Sequence, residues 1–148
     1  LRQLLHQGKL KPHKTSEKEI NNLLGLAKRD INDAKVKEIS TDRRFAIAYN
    51  AVLQLAAIPL YCKGYKPEGA GHHFTIFQAM KEVMGASYYE LADYFDSCRA
   101  KRNVADYSYV GGISEAEVEE LIREAERFLE VILNWLKTKY PIFLKEDV

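Results

Sequence analysis

The chain has 148 residues, 47% of them hydrophobic and 29% charged, and a formal net charge of +1. That length and balance fit one globular domain, residues 1–148, with a single core, and the near-neutral total excludes polyanion binding driven by net charge alone. The charge is uneven all the same: residues 1–44 carry 11 Lys/Arg against 6 Asp/Glu, and residues 114–148 carry 5 against 9.

Residues 1–10 fit a short helix through Leu1, Leu4 and Leu5, limited by Gly8 and Pro12. The segment LRQLLHQGKLKPHK has no long apolar region and does not read as a secretory signal. Lys11 to Thr15 reads as a polar linker. Ser16 and Glu19 have capping-box spacing, and Ile20, Leu23, Leu24, Ala27, Ile31 and Ala34 form an amphipathic stripe, which predicts a helix to about residue 38. Thr41 or Asp42 caps a second helix. From Phe45 to Leu60 it is apolar nearly all round, as for a central helix, apart from a polar side made by Arg43, Asn50 and Gln54. Pro59 predicts a kink and Gly64 an end.

Tyr65 to Gly71 reads as a loop without a phosphate-binding signature. A shorter helix begins at His72. The adjacent His72 and His73 point in different directions, and no nearby Cys or carboxylate completes a ligand set, so no metal site is expected. His73 reads as a polar residue packed near the core. Gly85 breaks the chain, and Ser87 caps a helix in which Tyr88, Leu91, Ala92, Phe95 and Cys98 mark one face. Val104 to Ile113 reads as a loop. Ser114 and Glu117 form a second capping box, and the last helix carries Val118, Leu121, Ile122, Ala125, Leu129, Ile132, Leu133 and Leu136 on one face until Pro141. Glu119 and Arg123 have the spacing of a favourable pair on its other face.

The fold class that follows is all-α, an antiparallel up-and-down bundle of four to five helices. No run of about 18 apolar residues points to a membrane span. Cys62 and Cys98 lie in apolar helical settings and read as buried thiols of a reducing compartment. The four histidines lie off the faces that carry them, so no cysteine–histidine nucleophile is expected.

The segment CRAKRNVADYSY is the one unusual stretch. Arg99 is four residues after Phe95 and Arg102 four after Cys98, so both lie on or beside the inward face. A guanidinium aimed at a core needs a partner or a wet cleft. Two readings stay open: Arg102 pairs with Asp106 or with a carboxylate on a neighbouring helix and closes the helix end, or it faces a cleft with Arg99, Asp106, Tyr107 and Tyr109, joined by Arg43, Asn50 and Gln54. Arginines suit phosphate and tyrosines stack on bases, so such a cleft would take an anion or nucleic acid.

From about Asp42 onward, DRRFAIAYNAVLQLAAIPLYCKG, GHHFTIFQAM, RAKRNVADY and the long closing helix resemble the small prokaryotic HEPN-domain proteins. The resemblance implies RNA binding or RNA processing, and the toxin role in a toxin–antitoxin pair with a nucleotidyltransferase. It also implies a homodimer, with the functional motif beside the dimer interface. The family's ribonuclease motif is an Arg, four to six residues, then a His. Arg102 and Asn103 match its start, but Tyr107 stands where four intervening residues would put the His. Tyr109 matches a tyrosine that the partner modifies with adenylate. An imidazole titrates near neutrality and a phenol near pH 10, so activity is in question. The alternative is a non-catalytic dimeric adaptor for the nucleotidyltransferase. No cofactor, metal or membrane contact is expected, and the cytoplasm is the expected location.

Overall fold

A computed structural model describes residues 1–107 and 112–144. In order it contains α1 (Arg2–His6), β1 (Leu10–Pro12), α2 (Glu17–Ala34), α3 (Thr41–Cys62), β2 (Tyr65–Pro67), α4 (His72–Met84), α5 (Tyr89–Tyr107) and α6 (Glu115–Lys139). Single 3-10 turns at Ala86–Tyr88 and Pro141–Phe143 flank α5 and follow α6. The chain is an all-α helical bundle.

Helix α3 is its centre and packs on α2, α4, α5 and α6. Ala48, Val52, Leu55, Ala56 and Ile58 are fully enclosed. By length and composition α3 could cross a membrane, yet most of its apolar stretch is buried inside the bundle. It runs through Pro59 to Cys62, with Ser40 rather than Thr41 or Asp42 at its N-cap. A row of rings links the helices across the core. Tyr49 of α3 meets Phe77 of α4 at 6.2 Å, Phe77 meets Phe95 of α5 at 6.0 Å, and Phe95 meets Phe128 of α6 at 5.1 Å.

Several boundaries differ from the sequence reading, each for a local reason. Helix α2 stops at Ala34. Its apolar stripe ends there, and the Ala34 carbonyl accepts a hydrogen bond of 2.7 Å from Arg44 Nε. At its start, Ser16 Oγ accepts from the Glu19 N–H at 3.1 Å, but the Glu19 carboxylate turns to Thr15 and His13, so only half of the capping box forms. The linker and the Tyr65 loop each hold a three-residue strand. The two pair antiparallel, Leu10 opposite Pro67 and Pro12 opposite Tyr65. Strands this short, each with a proline, show no readable alternation. A 3-10 turn, not Ser87, leads into α5. Helix α5 also continues through Tyr107, because nothing from Val104 to Tyr107 breaks a helix; Asp106 and Tyr107 are in its last turn, not in a loop.

The second capping box is complete. Ser114 Oγ accepts from the Glu117 N–H at 3.2 Å, and Glu117 Oε1 accepts from the Ser114 N–H at 3.0 Å. Glu117 also lies 2.5 Å from Lys101 Nζ, which ties α5 to the start of α6. Lys101 first, then the Ser114 N–H, hold its carboxyl at about 2, below the ordinary 4.5. The folded value is the lower one, so this contribution is whole above pH 4.5 and is lost as the pH falls toward 2. In an NMR pH titration Glu117 should be among the last carboxylates to protonate, and Glu117→Gln should make unfolding between those pH values less steep.

Candidate functional site

The cluster forms where α3, α4 and α5 meet. Helix α3 contributes Tyr49, which is completely buried. Its hydroxyl lies 2.9 Å from His73 Nδ1, and the two ring centroids are 5.7 Å apart. His73 comes from the first turn of α4. Gly71 starts that helix with φ 76°, a left-handed conformation that side-chain-bearing residues adopt only at a cost, and so turns the chain into α4. Helix α5 supplies the cations. The Arg102 guanidinium carbon sits 5.3 Å over the Tyr49 ring centroid, and Arg99 Nε donates to Asp96 Oδ1 at 2.8 Å.

The spacing argument for Arg99 and Arg102 holds: both side chains are half-buried, and Lys101 is exposed. Arg102 also borders a surface hollow of about 470 Å³, lined further by Ile39, Asp42, Arg43, Ala46 and Ile47. Arg43 is thus brought to the same place as Arg102. Asn50 and Asn103 are exposed, and neither lines that hollow. The side chains of Asp106 and Tyr107, and all of Tyr109, fall outside the described residues.

Electrostatics make the interior of the cluster unusual. Burial pushes the Tyr49 phenol well above its ordinary value, although Arg102 and Arg99 oppose this, so the ring stays neutral. His73 moves the other way. Burial first, then the positive charges of Arg102 and Arg99, lower its proton affinity and favour the neutral imidazole. The site therefore combines guanidinium groups, whose geometry suits phosphate oxygens, with an imidazole whose neutral form is favoured, beside a phenol.

His73 is the residue that the sequence reading left in a packing role. Its link to Tyr49 spans 24 positions, and no local pattern reports such a contact. Arg44 was missed as well. It is 1% exposed, and besides Ala34 it reaches Glu115 at 2.7 Å and Glu119 at 3.7 Å. Glu119, expected opposite Arg123, thus reaches across to α3.

Burial disfavours the thiolate form of both cysteines. Cys98 is buried and Cys62 only half-buried, both are free, and burial pushes them up to about 11 and about 12. Among the described residues, no three His, Cys, Asp or Glu side chains gather in a metal-binding group.

A family model described as SAV_6107-like HEPN matches residues 34–133. No curated protein and no solved structure matches the chain. The matched span holds all of α3, α4 and α5 and most of α6, the same helices that assemble Tyr49, His73, Arg99 and Arg102. The helical bundle, the arginine-bearing end of α5 and this match agree, and the chain belongs to the HEPN family.

Proposed function

We propose that this HEPN domain binds RNA and acts in RNA processing, with Arg102 and Arg99 holding the phosphate backbone and Arg43 extending the contact along the hollow. The observation that carries this reading is Arg102 laid across the Tyr49 ring at the rim of that hollow. Contact with the ring orients a planar, permanently charged donor at low cost in side-chain freedom. Asp42 in the same hollow limits how many phosphates fit, so the footprint is short. The same reading makes the chain the toxin half of a toxin–antitoxin pair, a cytoplasmic homodimer held in check by a nucleotidyltransferase, as the family resemblance implies.

Fluorescence anisotropy with a labelled single-stranded RNA tests it. The logarithm of the wild-type binding constant should fall linearly with the logarithm of salt concentration. Arg102→Ala should weaken binding about tenfold, about 1.4 kcal/mol, and shallow the salt slope by roughly 0.7, the loss of one phosphate contact. Unchanged affinity and slope in that variant would remove the RNA reading and leave the adaptor role, which Tyr107 at the expected histidine position favours.

A further inference from the structure

We infer that the furrow between the first half of α5 and the middle of α6 is a docking site for a basic helical segment of a partner protein, which lays arginine or lysine side chains onto Glu90, Glu120 and Glu124. The furrow lies along the N-terminal half of α5, whereas Arg99 and Arg102 belong to its C-terminal half. It is therefore separate from the RNA reading above and does not rest on it.

The furrow encloses about 460 Å³. Tyr88, Leu91 and Tyr94 give it an apolar lining and are half-buried. The Tyr94 ring is backed by the fully buried Phe95, with centroids 5.8 Å apart, so the core holds this lining in place. Glu90 comes from the α5 side, and Glu120 and Glu124 come from the α6 side. Helix α6 already uses carboxylates of this face to hold cations. Glu117 takes Lys101, and Glu124 takes the exposed Arg127 at 3.2 Å. Glu120 lies between these pairs at helical spacing, and among the described residues no cation pairs with it or with Glu90.

Charge complementarity decides the occupant. Nucleic acid and anionic lipid are repelled by carboxylates on both sides. Among the described residues the three glutamates do not gather into a metal-binding group, so one compact ion does not satisfy them together. They suit a chain that carries its charges apart. Glu120 and Glu124 are one helical turn from each other, the spacing of cations at i and i+4 on a second helix. The stems of arginine and lysine cover apolar surface while their heads reach carboxylates, and tyrosine faces attract the same cations. Arg127 yields Glu124 at little cost, because an exposed pair contributes little. An amphipathic basic helix laid between two helices meets all of these terms at once.

The test is fluorescence anisotropy of the full chain with a labelled, alanine-based helical peptide whose arginines lie one turn apart on one face. Wild type should bind it with a Kd on the order of 100 μM at low salt and more weakly as salt rises. The double variant Glu120→Gln, Glu124→Gln should weaken binding about tenfold, and the same peptide with citrulline in place of arginine should not bind. The double variant Glu126→Gln, Glu130→Gln removes the same charge from the part of α6 that faces α2, and should bind as wild type does. No binding by wild type overturns the inference. Equal losses in the two double variants overturn it too, since net acidity and not the furrow would then be at work. Displacement of the peptide by an equal concentration of spermidine would give the furrow to a small polyamine. Self-association of wild type that Glu120→Gln, Glu124→Gln abolishes would give it to a second copy. Either result also overturns the inference.

Discussion

Phe95→Ala is expected to lower the unfolding free energy by about 3–5 kcal/mol. The side chain is fully buried on α5, with Phe77 of α4 at 6.0 Å on one side and Phe128 of α6 at 5.1 Å on the other. Alanine removes a whole ring from a place where three helices converge, and partners on different helices cannot all move in to fill the gap. The loss therefore contains both the transfer term and a cavity term. Thermal unfolding should show a midpoint lower by on the order of 10 °C for a chain of this size. Phe95→Leu keeps most of the apolar volume and should lose clearly less. A change under about 1 kcal/mol for the alanine variant would mean that α5 is not anchored through this ring.

Arg44→Leu is expected to cost about 3 kcal/mol, although it exchanges a charged residue in the core for an apolar one. The guanidinium is enclosed and makes three contacts, to the Ala34 carbonyl, Glu115 and Glu119, so it joins α3 to the end of α2 and the start of α6. Leucine leaves the Ala34 carbonyl without its donor in a place water reaches poorly. The two carboxylates are half exposed and rehydrate, which keeps the loss at the low end for a broken buried pair. Arg44 also holds the Glu115 carboxyl below the ordinary carboxylate range. In Arg44→Leu, Glu115 should titrate closer to that range, which NMR can read in the same sample. Equal stability of Arg44→Leu and wild type in urea would show that the clamp contributes nothing net.

Helices with long apolar periods were legible from residues alone. The stripes of α2 and α6 and the capping box at Ser114 are local patterns, and each formed where its spacing put it. The inward tilt of Arg99 and Arg102 was legible for the same reason: each continues the face of Phe95 and Cys98. Arg44 could have been found too, because it shares a face with Ala48, Val52 and Leu55 at helical spacing. Its neighbour Arg43 is exposed at the hollow. The short β1–β2 ladder and the pairing of His73 with Tyr49 were not legible. Both join residues far apart in the chain through contacts that no spacing rule encodes.

The most direct check is an NMR titration of the protein with a short single-stranded RNA, following the arginine Nε–Hε signals and the His73 imidazole. The Arg99, Arg102 and His73 signals should move together and saturate at one RNA concentration, and Arg102→Ala should abolish the shift at His73. Shifts confined to the lysine-rich first third of the chain, with these three signals unmoved, would contradict the account.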